Sequence, residues 1–222
     1  MLYIVATPIG NMRDISQRAI EVLTSANLIL AEDTRSAGKL LQALGISGKK
    51  VQSFFEHNEE QKMSGVIDLL KAGSSLALIS DSGTPLISDP GFKLVRECQK
   101  EGIKVVPIPG PSAVIAALSA SGLPTDKFLF VGFFPKSKGK RKQLLGNIRK
   151  SQKLVKTSVV VYESPYRLLT TLREIREIWG NIEICVACEI TKFYEDISKD
   201  FVDNQIVKFS KKKPRGEITI IF

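Results

Sequence analysis

The chain has 222 residues, of which 43% are hydrophobic and 25% charged, values typical of a globular protein with one large domain or two smaller ones. No apolar run reaches the roughly 20 residues that a membrane-spanning helix needs, and the first residues lack the features of a signal peptide, so we expect a cytoplasmic protein with no membrane partner. Three cysteines and one histidine exclude a disulfide framework and predict no metal site, while the formal net charge of +9 favours an anionic partner.

The first 120 residues alternate short β-branched runs with helical patterns. Strands are predicted at Leu2–Ala6, Asn27–Ala31, Val51–Phe55, Ser75–Ser80 and Lys104–Ile108. Helices are predicted at Ser16–Ser25, Thr34–Leu44, Glu59–Lys71, Pro90–Glu101 and Ser112–Ala120. This alternation predicts an α/β fold, with a mostly parallel sheet that carries helices on both faces.

A stretch with glycine, proline and polar residues at 121–127 is a predicted linker, so we expect domains at 1–121 and 127–222. The second half is predicted to be a smaller α/β domain with a mixed sheet. Its predicted elements are strands at Phe128–Phe133, Ser158–Tyr162, Glu183–Ile190, Phe193–Ile197 and Glu217–Phe222 and a helix at Pro165–Trp179. Cys185 and Cys188 lie three apart on one predicted strand, so their sulfurs should face opposite sides of the sheet rather than share a zinc ion.

The positive charge is concentrated between the first two strands of the second half. Residues 136–156 contain no acidic residue and nine basic ones: Lys136, Lys138, Lys140, Arg141, Lys142, Arg149, Lys150, Lys153 and Lys156. A smaller basic cluster follows near the carboxyl terminus, at Lys211, Lys212, Lys213 and Arg215. Localised basicity attracts a phosphate backbone, because neutralised phosphates release condensed counterions. A solvated surface that keeps the protein in solution is the alternative interpretation.

Four unusual loops follow the predicted strands of the first half, at 7–11, 32–35, 81–91 and 109–113. Ligands of open α/β sheets bind beyond the carboxyl ends of the strands, where glycine lets the backbone approach closely and proline fixes the loop in advance. Asp89-Pro90 is explained as the start of a helix. Ser82-Gly83-Thr84 and Glu32-Asp33-Thr34-Arg35 have no such structural explanation and are therefore the stronger candidates for ligand binding. Neither G-x-G-x-x-G nor a phosphate-binding P-loop is present, which disfavours NAD and ATP chemistry.

Eight segments in order along the chain carry a resemblance to a known family. They are VATPIGNMRDIS at 5–16, AEDTR at 31–35, ISDSGTPLISDPG at 79–91, VPIPGPSA at 106–113, GFFP at 132–135, VYESPYRL at 161–168, ACEITKFYE at 187–195 and GEITI at 216–220. With these segments the chain resembles the ribosomal RNA small subunit methyltransferase I family, cytidine 2'-O-methyltransferases of the tetrapyrrole methylase superfamily. The resemblance covers essentially the whole chain. Tyr166 and Cys188 depart from it, standing where the family often has histidine and arginine.

The resemblance implies two α/β domains with S-adenosyl-L-methionine (SAM) in the cleft between them, and no metal. It also implies a homodimer that acts on a cytidine in the decoding region of 16S rRNA, within the assembled small ribosomal subunit. The expected cofactor-binding residues are Pro8, Gly10, Ser82, Gly83, Thr84, Ile87, Pro109, Gly110, Ser112, Ala113, Tyr162, Glu163, Ala187 and Gly216.

Direct methyl transfer to a ribose hydroxyl needs alignment of the reacting atoms and removal of one proton. The catalytic candidates are Asn11, Glu32, Asp33, Arg35, Glu163 and Arg167. A mobile arm is expected to bind RNA through Lys136, Lys138, Lys140, Arg141 and Lys142.

Three alternatives stay open. In the first, Glu32 or Asp33 is an ion-pair partner of Arg35 that stiffens the loop. An enzyme that methylates a ring carbon of a tetrapyrrole, such as a precorrin or uroporphyrinogen, would use the same fold and would also favour positive charge. A non-catalytic RNA-binding module is the remaining alternative.

Overall fold

A computed structural model describes residues 1–212 and 214–222, so that Lys213 of the carboxyl-terminal basic cluster lies outside the described residues. The chain forms two compact units, Met1–Ser112 and Ala113–Phe222. The linker was predicted at 121–127, but the boundary lies earlier because the helix at Ala113–Ala120 packs against the sheet of the second unit. No helix among the described residues is long and apolar enough to cross a membrane.

The first unit is a parallel five-stranded sheet with helices on both faces. Its strands are β1 (Leu2–Val5), β2 (Leu28–Ala31), β3 (Val51–Ser53), β4 (Leu76–Ile79) and β5 (Val105–Ile108), in the order β3-β2-β4-β1-β5. Its helices are α1 (Gln17–Ser25), α2 (Thr34–Ala43), α3 (Glu59–Lys71) and α4 (Phe92–Lys100), and a 3-10 turn covers Met12–Asp14. All four pairings are parallel, as the strand–helix alternation predicts.

Two apolar layers fill this unit because neighbouring strand residues point to opposite faces. On β4, Leu76 and Leu78 pack with α3 and α4, whereas Ala77 and Ile79 pack with α1 and α2. Both faces of the strand are therefore buried, which explains why it reads as a continuous apolar run. With both faces of the sheet covered by helices, the polar loops at the strand ends are its accessible part.

The second unit is a mixed five-stranded sheet. Its strands are β6 (Phe128–Phe133), β7 (Ser158–Glu163), β8 (Glu183–Cys188), β9 (Asp196–Phe201) and β10 (Ile218–Ile221), in the order β6-β7-β10-β8-β9. Its helices are α5 (Ala113–Ala120), α6 (Lys138–Leu154), α7 (Leu168–Trp179) and α8 (Val202–Lys211). Only β6 and β7 are parallel; the remaining pairs of this sheet are antiparallel.

Helix α5 covers one face of the second sheet, and α6, α7 and α8 cover the other. Cys185 packs on the α5 face and Cys188 on the opposite face, which confirms that the two sulfurs diverge. Burial raises the pKa of the Cys185 thiol to about 11 and that of the Cys188 thiol to about 12, so both remain protonated near neutral pH. They are structural residues of the two apolar layers.

Two predictions about the secondary structure of the second half were wrong. The strand expected at Phe193–Ile197 is β9 at Asp196–Phe201, because residues 189–195 form a hydrogen-bonded loop instead. The basic segment, expected to be a mobile arm, contains the 17-residue helix α6, which buries Leu145 and Ile148 against the core.

Candidate active site and basic surface

The loops after β1 and β4 are joined directly at the carboxyl end of the first sheet. Thr7 and Gly83 exchange both backbone hydrogen bonds, with N···O distances of 2.8 and 3.0 Å. Gly83 has a φ of 78°, a left-handed conformation that strains any residue with a Cβ. A Cβ there would also lie 3.3 Å from Cγ2 of Ile9. Glycine therefore allows the Ser82-Gly83-Thr84 turn to lie flat against the loop that contains Pro8 and Gly10.

The loop after β5 completes this cluster. The Thr84 hydroxyl donates a hydrogen bond to the carbonyl of Pro111 over 2.9 Å, and Gly110 packs against Ala6 at the end of β1. Pro109, Gly110 and Ser112 thus lie beside the Ser82–Thr84 turn, as expected if one ligand contacts both loops. We call the residues 7–10, 82–84 and 109–112 the three-loop cradle.

The remainder of the loop after β4 holds two residues in unfavourable backbone conformations. Leu86 has a φ of 71° and Ser88 a φ of 68°, and between them the side chain of Ile87 is exposed. Left-handed conformations at residues other than glycine cost about 1–3 kcal/mol each and persist where the surrounding structure enforces them, often at ligand sites. The strained residues on either side hold the loop in a conformation that exposes the side chain of Ile87.

Asp33 and Arg35 form a two-point ion pair in the loop after β2. Nη2 of Arg35 lies 2.6 Å from Oδ2 of Asp33, and its Nε lies 3.1 Å from Oδ1. The Asp33 side chain also accepts the Arg35 backbone N–H at the start of α2. Hydrogen bonds from Arg35 lower the pKa of Asp33 to about 2. The alternative prediction, that a carboxylate pairs with Arg35, is correct for Asp33.

Glu32 has the opposite electrostatic environment. Partial burial raises its pKa, and the negative charges of Asp89, Asp81 and Asp33 raise it further. Two adjacent carboxyl groups therefore differ in proton affinity: Asp33 stays ionised down to low pH, whereas Glu32 is the better proton acceptor.

Asp81 and Asp89 belong to the same polar region, and sequence reasoning did not single them out as site residues. Asp81 accepts hydrogen bonds from the backbone N–H of Asp33 and the side chain of Ser36, and so joins the loop after β4 to the loop after β2. Burial raises the pKa of both carboxyl groups, and at Asp89 a hydrogen bond accepted from the Ser80 side chain opposes the rise. The position of Asp81, directly after the predicted strand Ser75–Ser80 and before Ser82, was the signal that would have identified it.

Asn11 has a local structural role. Its side-chain oxygen accepts the backbone N–H of Arg13 over 3.0 Å and caps the 3-10 turn that follows β1. The side chain remains exposed at the same end of the sheet as the three-loop cradle.

In the second unit, Tyr162 and Ala187 lie in one row across the sheet. Both are paired with Thr219 of β10, so the three residues lie on one face of neighbouring strands. That face packs against α5, whose first residue is Ala113. The expected cofactor contacts Ala113, Tyr162 and Ala187 thus belong to the layer formed by α5 and this face of the sheet.

Glu163 points to the opposite face, where its buried side chain has a structural role. Its carboxylate is buried and accepts hydrogen bonds from the Ser164 backbone N–H at 2.7 Å and the Thr171 hydroxyl at 2.6 Å. Arg167 contacts the same carboxylate at 2.8 Å and donates a second hydrogen bond to the carbonyl of Phe134 over 2.9 Å. Both side chains therefore hold the loops after β6 and β7 together.

Gly216 lies where a side chain would collide with the carboxylate of Glu189. Glu189 accepts hydrogen bonds from the Glu217 backbone N–H and from Nζ of Lys192, each over 3.0 Å. Lys192 also contacts Glu217 at 2.9 Å. The expected cofactor residue Gly216 thus allows two loops of the second unit to pack closely.

Arg141 was predicted to bind RNA, and that prediction was wrong. Its Nε and Nη2 bind the two oxygens of Glu174 on α7 at 2.5 and 2.8 Å, and both side chains are buried. Lys142 is exposed but lies 3.2 Å from the carboxylate of Glu177. Seven basic residues of the segment are exposed and form no ion pair within the described residues: Lys136, Lys138, Lys140, Arg149, Lys150, Lys153 and Lys156. They form the cationic surface of α6 and its flanks.

The residues of the three-loop cradle fit a methyl donor that carries an adenosyl group and an amino acid. The cradle is built from small side chains, backbone amides and hydroxyls, which admit close approach of a polar ligand. The described residues contain no cluster of histidine, cysteine or carboxylate side chains suited to a metal ion.

Comparison with known proteins identifies the family of the chain. Residues 1–203 match the family described as Tetrapyrrole (Corrin/Porphyrin) Methylases. The chain is 46% identical over 220 residues to "Ribosomal RNA small subunit methyltransferase I" of Thermotoga maritima, covering 99% of this chain and 96% of that protein. It is 46% identical to the protein of the same name from Escherichia coli O157:H7, covering 99% of this chain and 76% of the relative.

Solved structures support the fold. A crystal structure of diphthine synthase superposes with a TM-score of 0.75 at 16% identity, covering 100% of this chain and 89% of the other. Cobalt precorrin-4 methyltransferase superposes with a TM-score of 0.68 at 17% identity, covering 99% and 93%. These identities are too low to transfer a substrate. The family match and the close relatives nevertheless confirm the predicted methyl donor, S-adenosyl-L-methionine, and the chain belongs to the ribosomal RNA small subunit methyltransferase I family of the tetrapyrrole methylases.

Proposed function

We propose that this methyltransferase modifies the ribose 2'-hydroxyl of a cytidine in the decoding region of 16S rRNA, acting as a homodimer on the assembled small ribosomal subunit. The observation that carries the proposal is the 46% identity, over 99% of the chain, to a relative named for methylation of small-subunit ribosomal RNA. The specificity for cytidine and the 2'-hydroxyl rests on the resemblance of the eight segments, in order along the chain, to a family of cytidine 2'-O-methyltransferases.

The cationic surface of α6 supports a polynucleotide substrate. Seven exposed basic side chains lie on or beside one helix, and none forms an ion pair within the described part of the chain. Each phosphate neutralised by such a side chain releases counterions, which gives an affinity that does not depend on sequence. A compact polycarboxylate does not need a positively charged surface along a 17-residue helix.

In this mechanism the protein binds the donor, orients the hydroxyl and accepts its proton. SAM supplies a methyl group already activated by its sulfonium, so the reaction needs no metal. The three-loop cradle holds the donor, with the Thr84–Pro111 hydrogen bond fixing the distance between two of its loops. Alignment of the reacting groups is worth up to ~7–11 kcal/mol.

Glu32 is the proposed proton acceptor, because the pKa of its carboxyl group is raised while that of Asp33 is about 2. A positioned general base contributes typically ~10²–10⁴-fold to the rate. Asp33 holds Arg35 in place by its two-point contact, and the exposed Arg35 guanidinium is oriented to bind an RNA phosphate.

The proposal is tested by incubating the protein with methyl-labelled SAM and small subunits from a bacterium that lacks the related enzyme. We expect label in the 16S RNA of assembled subunits, with much less in protein-free RNA. Parallel reactions with uroporphyrinogen should remain unlabelled. Label in the tetrapyrrole alone would overturn the proposal in favour of the ring-methylating alternative.

A further inference from the structure

Four exposed aromatic side chains lie at one end of the second sheet. Strands β7 and β8 are both antiparallel to β10, and β6 is parallel to β7, so β6, β7 and β8 share a direction. Their carboxyl ends therefore lie at the same end of the sheet. Phe133 ends β6, Tyr166 follows β7, and Phe193 and Tyr194 follow β8, with exposures of 56%, 84%, 93% and 78%. We call these four residues the aromatic rim.

The loop that carries Phe193 and Tyr194 is fixed by ionic contacts. Lys192 bridges the carboxylates of Glu189 and Glu217 over 3.0 and 2.9 Å. At the other side of the aromatic pair, the Thr191 backbone N–H binds the Glu195 carboxylate over 2.6 Å. The rings of Phe193 and Tyr194 contact each other edge to face at 4.9 Å. Two highly exposed rings are thus held in a defined arrangement.

Arg167 joins the end of β6, which carries Phe133, to the loop that carries Tyr166. Its guanidinium binds the carbonyl of Phe134 and the buried carboxylate of Glu163. The Phe133 ring additionally rests 5.5 Å from the ring of Tyr162. An ordered exposed aromatic surface loses little conformational entropy on binding, and large exposed apolar groups in a defined arrangement indicate an interaction site.

The charges beside the aromatic rim indicate the chemical class of its partner. Lys136, Lys138 and Lys140 follow Phe133 within seven residues, are exposed, and form no ion pair within the described residues. Cations beside aromatic rings are the chemistry that binds single-stranded nucleic acid, because bases stack on the rings while the cations track the backbone. From β6 to β8 the rim crosses three strand spacings, about 14 Å, which matches several nucleotides at ~3.4 Å per stacked base.

We propose that the aromatic rim stacks unpaired bases of the RNA substrate, so that this protein selects a single-stranded segment around its target nucleotide. The inference rests on the proposed RNA substrate and adds the conformation in which that RNA is recognised. The acidic residues of the rim loops have partners within the protein: Lys192 pairs with Glu189 and Glu217, and the Thr191 backbone N–H binds Glu195. These contacts position the rings.

The test measures binding of a single-stranded RNA dodecamer that contains 2-aminopurine, whose fluorescence falls when it stacks, and of the matching duplex. The variants are Tyr166→Ala, the pair Phe193→Ala/Tyr194→Ala, and the ring-preserving Tyr166→Phe. Phe128→Ala is the matched control, since Phe128 is 40% exposed at the opposite end of the same sheet. Lys136→Ala/Lys138→Ala/Lys140→Ala reports the electrostatic contribution.

We expect the wild type to favour the single strand and to quench the fluorescence. The alanine variants at 166 and at 193/194 should each weaken binding about tenfold and abolish quenching without changing the dependence on salt. Tyr166→Phe and Phe128→Ala should bind like the wild type, and the lysine variant should flatten the salt dependence.

Two outcomes would overturn the inference while leaving the proposed function intact. One is wild-type affinity and quenching in the aromatic variants, with binding lost only in the lysine variant. The other is conversion of a dimer to a monomer by Phe193→Ala/Tyr194→Ala, since the rim would then be an interface between two copies. Failure of the wild type to bind or methylate any RNA would overturn the proposed function itself.

Discussion

Arg141 and Glu174 bind each other through two hydrogen bonds, of 2.5 and 2.8 Å, inside the packing of α6 against α7. Glu174 raises the pKa of Arg141 through these hydrogen bonds, so the guanidinium remains charged although it is buried. The pair fixes the orientation of α6, and the neighbouring Lys138, Lys140 and Arg149 consequently face solvent.

Arg141 should therefore contribute to stability, and Lys140 to RNA binding. Arg141→Ala leaves the Glu174 carboxylate buried without its partner and should lower the free energy of unfolding by about 3 kcal/mol. Lys140→Ala should unfold like the wild type but flatten the salt dependence of log Kd for single-stranded RNA by ~0.7. Urea unfolding and fluorescence anisotropy measure the two effects. The assignment fails if Arg141→Ala is as stable as the wild type.

The three-loop cradle should be sensitive to loss of one hydroxyl. Thr84→Val keeps the shape of the side chain but removes its hydrogen bond to the Pro111 carbonyl, a contribution of about 1 kcal/mol. We expect the dissociation constant for SAM to rise about fivefold, as measured by calorimetry, while the fold remains intact. Thr24→Val is the control, since the Thr24 hydroxyl bonds only within α1. Equal SAM affinity in both variants would show that the cradle does not bind the donor.

The ion pair of Asp33 and Arg35 predicts a pH dependence. Because the pKa of Asp33 is about 2 in the folded protein, against an ordinary value of 3.8, its stabilising effect is present above about pH 4 and is lost as the pH falls through 2. In Arg35→Ala the pKa of Asp33 should return towards 3.8. Carboxyl carbon resonances in an NMR titration report this directly. A pKa that stays near 2 in the variant would mean that Arg35 is not its cause.

Glu32 and Asp33 should differ in catalysis. Glu32→Gln removes the proposed proton acceptor and should lower kcat by at least ~10²-fold with the affinity for SAM unchanged. In the wild type kcat should rise with pH through the raised pKa of Glu32, and this rise should disappear in the variant. Asp33→Asn should mainly raise KM for RNA by releasing Arg35. Full activity of Glu32→Gln at all pH values would exclude it as the base.

The first unit could be predicted almost completely from sequence. Its β4 is a continuous apolar run bounded by polar loops, and strands of that type are recognisable without tertiary information. The predicted loops lie together for the same reason, because parallel strands place all their carboxyl ends at one end of a sheet. The direct Thr84–Pro111 contact was beyond prediction, since it joins a side-chain hydroxyl to a backbone carbonyl 27 residues away.

The second unit was harder to predict because charged residues at buried positions and apolar residues at exposed ones disturb the periodicity of its helices and strands. Helix α6 buries Arg141, Leu145 and Ile148, and an arginine at the first of these positions hides the apolar face. Phe193 and Tyr194 resemble the start of a strand but are exposed on a loop, while the strand that follows, Asp196–Phe201, is mostly polar. The structural role of Glu163 was not predicted because its partner Thr171 lies on the next helix.

The most direct test of the account is the position of the methyl group that the protein adds. Small subunits lacking the modification are treated with SAM and either the wild type or Glu32→Gln, and the 16S RNA is then digested and mapped by mass spectrometry. We predict one additional methyl group, on the ribose of a cytidine in the decoding region, formed by the wild type alone. A methyl group on a base, at another site, or on no RNA nucleotide at all would contradict the account.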